Sequence, residues 1–329
     1  MKKLSVIIPV YNMENYLHKC LNSVIYPNVE DYEIVIVNDG STDSSPFICE
    51  EFAVHYPNLI KYVSTPNGGL GAARNVGVEH SSGEFIFFID SDDYLSDNAI
   101  PEIIEVLDDS VDILVFDFVN VTEDGRVLSV VKGSNCDGRF SLESHPEFLF
   151  CPPNAWCKIW KRSMFTENGI AFPGRVWFED IYTTPKLYSK AKSMGYINKA
   201  WYYYLHRDGS ITKNKNPKRC IEIIDAVDSV INYFKDAGIF EKYYAQLEYM
   251  TLYHQVITST TRVNLIDRKS HIQRQLFENF KEKFPNYKQN EYIKTMPAKL
   301  KLLMFYIEHG MYTAFNYTMR LNDAVKRKH

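Results

Sequence analysis

Asp90-Ser91-Asp92 follows residues 85–89, FIFFI, a run without one polar side chain. Two carboxylates at the end of a buried strand repel each other unless a cation neutralises them. A hard divalent ion does this, and Mg²⁺ typically completes its shell with water and substrate phosphates. The pair therefore points to a metal–diphosphate ligand. Gly68, Gly69 and Gly71 would let a backbone approach such a ligand and open a helix whose N-terminus favours anions. Arg74 falls one turn further on, where a guanidinium would clamp a phosphate in bidentate fashion or form a surface salt bridge. The string is not a dinucleotide fingerprint, because Arg74 stands at the final glycine position. It is not a P-loop either, because no Gly-Lys-Ser/Thr follows. Asp39 ends another apolar run and would accept hydrogen bonds from a base or ribose, or cap the next turn. Trp177-Phe178 precede Glu179-Asp180, so desolvation would raise a carboxylate there. The same two acids would also suit a helix N-terminus.

Positioning these groups requires a sheet. Residues 4–9, 33–37, 60–64, 85–89 and 113–118 read as strands. Residues 14–25, 42–55, 70–79 and 98–107 read as helices between them. Wholly apolar strands alternating with helices mean an α/β fold, a mostly parallel sheet with helices on both faces. Ligands of such sheets bind beyond the carboxyl ends of the strands, where PVYN, NDGSTD, NGGLGAARN and DSDD all fall. Past residue 120 the pattern changes. Trp156 and Trp160 have the i, i+4 spacing of a helix-core pair, and their rings would alternatively stack on a ligand. Residues 217–235, 240–262, 270–283 and 298–323 read as helices. The expected division is a ligand-binding domain over 1–215 and a helical C-terminal region over 216–329.

The formal net charge of -4 argues against a nucleic-acid partner. It hides an asymmetry. Residues 281–329 carry ten Lys/Arg against four Asp/Glu, so the remaining chain is acidic. The six cysteines form no CxxC pair and read as reduced thiols of a cytoplasmic protein. The apolar run after Met1-Lys2-Lys3 is too short for a signal peptide, and no stretch approaches the ~20 apolar residues of a bilayer span.

PVYN, VNDGSTD, NGGLGAARN and FIDSDD, in that order and spacing, resemble the family 2 glycosyltransferases of the GT-A fold. The resemblance is strong over 1–120 and looser to about 215. It implies an enzyme that transfers a sugar from a nucleotide-diphosphate sugar with inversion, helped by Mn²⁺ or Mg²⁺. By position, Pro9, Tyr11 and Asn12 would border the base and ribose, and Asp39 would bind the base, usually uracil. Asn67 and Arg74 would contact the nucleotide and its phosphates. Asp90 would touch the ribose or metal, and Asp92 would be the main metal ligand. Residues 177–180 look like the family's ED motif, which makes Asp180 the base for the acceptor hydroxyl and Glu179 an orienting group. Residues 204–211 resemble the loop that closes over the diphosphate. There His206 would be a third metal ligand or phosphate donor, and Arg207 and Ser210 phosphate contacts.

The family resemblance favours a UDP-sugar donor and a glycan or lipid-linked acceptor in bacterial surface polysaccharide synthesis. A sugar-phosphate nucleotidyltransferase would carry a Gly-rich loop with Arg or Lys after the first strand, where this chain has Tyr11-Asn12-Met13-Glu14. A non-catalytic carbohydrate-binding or scaffold protein would have little use for the Asp90/Asp92 and Glu179/Asp180 pairs. The basic tail reads as a bundle helix with a solvated end, or as a contact with the anionic inner membrane surface. The helical region would alternatively bind the acceptor or make a homo-oligomer.

Overall fold

Strand β1 (Leu4–Val10) is buried along its whole length, and so is β4 (Phe85–Phe88). Strands apolar on both faces need cover on both faces. The computed structural model describes residues 2–207, 216–267 and 271–326, with side chains up to 319, and it has such a sheet. β1 pairs in parallel with β4 and with β2 (Tyr32–Asp39), and β2 pairs in parallel with β3 (Ile60–Thr65). Helices α1 (Leu17–Val24), α2 (Ser45–His55) and α3 (Leu70–His80) form the crossovers that parallel pairing requires. α1 buries Leu17, Cys20, Leu21 and Val24, one stripe at helical spacing.

The register decides where the chemistry sits. Val10 lies beside Asn38, Asp39 beside Thr65, and Ile7 beside Phe88. The segments that follow β1, β2, β3 and β4 therefore leave the sheet at one edge.

Beyond β4 the alternation becomes irregular. The chain forms β5 (Tyr94–Leu95), α4 (Ala99–Val106), β6 (Ile113–Thr122), β7 (Val127–Val131), β8 (Arg139–Phe140) and β9 (Lys158–Lys161). It continues through α5 (Ser163–Thr166), α6 (Glu179–Lys190) and β10 (Met194–His206). The sheet order is β3-β2-β1-β4-β9-β6-β10-β5, with β7 on β6 and β8 on β10. β9 is antiparallel to both β4 and β6, so β6 runs the same way as β4. β10 is parallel to β6. Its last residues therefore reach the same edge, with His206 beside Thr122.

Two expectations are corrected here. Trp156 and Trp160 share no helix. Trp156 lies in a 3-10 turn (Ala155–Cys157) and Trp160 on β9, and both are buried. Trp156 stacks on Tyr202 and Tyr204, and Trp160 on Tyr188, so neither offers a ring to a sugar. Four residues of strand are too few for periodicity to separate from a helical turn. The long strand β10 was not expected at all. Its pairing slips between Ile197 and Ala200 and again before Tyr202, which breaks the two-residue period.

By internal contacts the chain divides into two compact units, Met1–Ser210 and Ile211–His329. The expected change of pattern near residue 215 falls among residues 208–215, outside the described residues. The second unit is helical among its described residues. α7 (Ile223–Asp236) buries Ile223, Val227, Val230 and Phe234 along one face. α8 (Tyr244–Thr251) runs through a π-helical stretch (Leu252–Thr258) into α9 (Ser259–Ile266). α10 (Ile272–Lys283), α11 (Glu291–Thr295), α12 (Ala298–Glu308) and α13 (Tyr312–Lys326) follow. The single helix expected over 298–323 is two. Gly310, at φ 65°, adopts the left-handed conformation that ends α12. All six cysteines are free and buried. No helix among the described residues is long and apolar enough to cross a membrane.

Candidate active site

Arg74 lies one turn into α3 and is only 1% exposed. Its Nη2 donates to Asp90 Oδ1 at 3.0 Å. Its Nη1 donates to Asp180 Oδ1 at 2.8 Å and to Glu179 Oε1 at 3.1 Å. Phe172 and Phe88 cover the guanidinium at 5.3 and 5.9 Å. The end of β4 and the first turn of α6 thus deliver three carboxylates to one buried cation. This corrects the reading of Arg74 as a phosphate clamp. Both terminal nitrogens are spent on carboxylates, and no face is left open to solvent.

Three carboxylates on one guanidinium leave the cluster short of positive charge. Burial, with the Asp180 charge adding to it, pushes the Glu179 carboxyl up to about 7. Burial raises Asp180 as well, against the pull of Arg74. The two acids remain partly exposed, so the pair is held from below and open above.

Asp92 Oδ2 accepts from Arg207 Nε at 2.7 Å. Arg207 is carried there by the end of β10, and its guanidinium lies 4.8 Å from the Tyr16 ring centroid. Burial raises the Asp92 carboxyl and Asp90 adds to this, while Arg207 opposes it. Asp93 points the other way. It is 1% exposed and accepts from Tyr202 Oη and from the Leu205 amide, both at 2.7 Å. Burial, then the Asp92 and Asp90 charges, hold its carboxyl well above the usual range. Tyr202 Oη also accepts from the Asp90 amide at 3.1 Å. Asp93 and Tyr202 therefore fasten the Asp90–Asp92 turn to β10. In the sequence Asp93 is only the last residue of the DSDD string at the sheet edge, and nothing there singled out Tyr202.

At the neighbouring strand ends, Asp39 accepts from the Gly68 amide at 2.6 Å and the Gly69 amide at 2.9 Å. Asn67 Nδ2 donates to the Asp39 carbonyl at 3.0 Å. These residues form one knot, with Asp39 only 3% exposed. The glycines serve packing as well as access. A Cβ on Gly71 would lie 2.1 Å from the Pro173 carbonyl oxygen, and Gly69 (φ 88°) packs on the Arg175 backbone. Arg175, exposed, reaches the Asn67 carbonyl through Nη2. The sequence reading missed it, although it stands just ahead of the Glu179-Asp180 pair. Asn12 Oδ1 accepts from the Thr42 amide at 2.8 Å and ties β1's exit to β2's. Tyr11 is 47% exposed at that edge. Pro9 is not at the edge: it lies buried within β1, beside Val37.

A divalent cation fits Asp90 and Asp92. Each is a hard oxygen donor keeping one carboxylate oxygen that no described side chain bonds, and with Glu179 and Asp180 they set four carboxylates against the two guanidinium groups of Arg74 and Arg207. His206 does not complete that set. Its ring is engaged with Asn120 at 2.8 Å and with Tyr204, and it forms no three-ligand group with the two aspartates among the described residues. Ser210 lies outside the described residues. Lys158 was not foreseen. Fully buried, it donates to the Pro152 and Asn154 carbonyls and lowers the Asp180 carboxyl through space.

Residues 5–158 match the family described as glycosyl transferase family 2. The chain is 31% identical over 266 residues to the glycosyltransferase GlyA of Streptococcus pneumoniae serotype 4, covering 78% of this chain and 37% of that one. It is 32% identical over 215 residues to the poly(ribitol-phosphate) beta-N-acetylglucosaminyltransferase TarS of Staphylococcus aureus, covering 64% and 36%. It thus spans little more than a third of the length of either relative. The crystal structure of S. aureus TarS residues 1–349 in complex with UDP superposes with a TM-score of 0.69 at 22% identity, covering 98% of this chain and 91% of that one. A mannosyltransferase from Pyrobaculum calidifontis, in complex with GDP-Man and Mn²⁺, superposes with a TM-score of 0.54 at 16% identity over 98% and 86%. The shared architecture is the GT-A fold.

Proposed function

Through residues 5–158 the chain belongs to glycosyl transferase family 2, and we propose that it moves a sugar from a UDP-sugar to a hydroxyl of a bacterial surface polymer, with inversion. The observation that carries this reading is the Arg74-centred cluster of Asp90, Glu179 and Asp180 beside Asp92. It joins the turn that follows β4 to two raised carboxyls. The UDP in the TarS complex supports the donor class.

Asp180 is the proton acceptor. Burial raises its carboxyl, and the 2.8 Å contact with Arg74 opposes that rise and favours the ionised form that can accept a proton. It takes the proton of the acceptor hydroxyl as that oxygen attacks C1 of the donor and the UDP oxygen leaves. Glu179, titrating near neutrality, orients a sugar hydroxyl. Arg74 is a positioning residue that holds both acids and Asp90 at fixed places. Asp90 and Asp92 would hold Mn²⁺ or Mg²⁺, whose chemistry is to neutralise the departing diphosphate. Asp39 and Asn67 order the loop that would border the base, and Arg175 and Arg207 are the cations at the diphosphate edge.

The basic C-terminal segment would rest on an anionic membrane surface. α12 exposes Lys299, Lys301, Leu302 and Phe305 together. Absence of binding to anionic liposomes at low salt would exclude this.

The test is UDP release with a panel of UDP-sugars and GDP-mannose, Mn²⁺ or Mg²⁺ present, and polyol-phosphate and oligosaccharide acceptors. The expected result is acceptor-dependent UDP release that Asp180→Asn abolishes. GDP release alone would overturn the donor assignment. Unchanged turnover in Asp180→Asn would remove the base.

A further inference from the structure

A second cluster of ligand-type side chains lies outside the carboxylate site. Cys136, His145 and Glu147 each offer one ligand atom, and these atoms lie within 4.8 Å of one another. Cys136 stands in the loop after β7. His145 and Glu147 stand at the start of a 3-10 turn (Pro146–Phe150). The span is too short for a core of its own, yet it gathers a thiol, an imidazole and a carboxylate at one point. We propose that this cluster is a zinc site.

The donor chemistry is a sulfur, a nitrogen and an oxygen. A thiolate selects a borderline or soft ion and discriminates against Mg²⁺ and Mn²⁺, so this site is distinct from the one at Asp90 and Asp92. Tetrahedral Zn²⁺, with bonds of about 2.0–2.3 Å, separates neighbouring ligand atoms by roughly 3.3–3.7 Å. The observed atoms, within 4.8 Å of one another, would have to close by at most about 1.5 Å to reach that.

The neighbours already orient one ligand. His145 Nδ1 lies 2.9 Å from Ser144 Oγ. Ser144 Oγ also lies 3.1 Å from the Ser141 carbonyl, and with its proton donated there it accepts from Nδ1–H of the matching His145 tautomer. That tautomer leaves His145 Nε2 as the basic nitrogen, the arrangement that partners of metal-bound histidines impose. Phe140 packs its ring on His145 at 5.7 Å and fixes the imidazole plane. No cation pairs with Glu147 among the described residues. Cys136 is 3% exposed while His145 and Glu147 are partly exposed, so water would take the fourth position on the open side. Binding replaces the thiol proton of Cys136, which passes to solvent, and clips residues 136–147 into one loop.

The experiment uses the full chain, stripped with a chelator and titrated with Co²⁺ and then Zn²⁺. The expected result is one equivalent of Co²⁺ with a thiolate-to-cobalt charge-transfer band and tetrahedral visible bands, both bleached by Zn²⁺. Cys136→Ser should lose the charge-transfer band, and His145→Gln should weaken cobalt affinity at least tenfold. Asp92→Asn should keep the spectrum. Should Cys136→Ser fail to fold, His145→Gln and Glu147→Gln alter partly exposed side chains and read the same site. Cobalt bound without a charge-transfer band, no cobalt retained at one equivalent, or an unchanged spectrum in Cys136→Ser or His145→Gln would each overturn the proposal.

Discussion

Arg74 Nη1 lies 2.8 Å from Asp180 Oδ1, across 106 residues of sequence. The guanidinium is buried, and the same nitrogen reaches Glu179. A buried cation with several carboxylate partners lowers the partners' affinity for protons and freezes their geometry. The chemistry proposed for α6 is therefore set from inside α3.

Arg74→Gln removes the charge that opposes protonation of Asp180. The carboxyls then hold their protons to higher pH, so the acidic limb of the kcat/KM profile should move upward by about 1–3 units. Arg74→Lys should shift it less. A pH profile measured on folded protein, checked by circular dichroism, decides this. A limb that stays in place would mean that Arg74 has no influence on the base.

Asp180→Asn keeps the shape but cannot accept a proton. kcat for sugar transfer should fall by roughly 10²–10⁴-fold, while UDP affinity changes little. Glu179→Gln should cost less. Single-turnover product formation together with calorimetric UDP binding separates the two steps.

Asp93 supplies a pH signature. Its folded-state carboxyl is raised well above the usual range, so between ~4 and that raised value the folded protein keeps a proton that the unfolded chain has lost. Its contribution therefore declines as pH rises through that window. Asp93→Asn mimics the neutral acid and should flatten this part of the stability profile. Tyr202→Phe removes the donor to Asp93 and should cost about 1–3 kcal/mol at neutral pH. Urea unfolding between pH 5 and 8 measures both.

Gly71→Ala drives a methyl group against the Pro173 carbonyl, with 2.1 Å available. Backbone must move, so about 1–3 kcal/mol of stability should be lost. Activity should fall with it, because residues 172–175 lead into Glu179. Thermal unfolding alongside the UDP-release assay tests this, and a fully stable variant would contradict the contact.

His206→Ala should leave the Mn²⁺ concentration for half-maximal activity within about twofold, because His206 is engaged with Asn120. Asp92→Ala should raise that concentration by at least tenfold. A metal titration of the two variants distinguishes a ligand from a neighbour.

Much of the first half of the fold was legible from residues alone. FIFFI at 85–89 and EIVIV at 33–37 have one stable setting, a sheet covered on both faces, and parallel order then sends every strand's exit to one edge. Hydrophobic period and turn chemistry are local, so the sequence alone placed Asp39, Asn67 and the Asp90–Asp92 turn at the strand ends that share one edge. β9 and β10 were not. One is too short to show a period, and the other slips its register where Ala200 meets Asp117. What tertiary structure alone decided is which charge faces which. Arg74 was read as a phosphate ligand because its own segment is glycine-rich, yet α6 brings two acids to it. Asp92 and Asp93 are adjacent in sequence but point to opposite neighbours, Arg207 and Tyr202. Alternating side chains and distant partners set those directions, and an ion pair between distant segments leaves no local periodic mark in either.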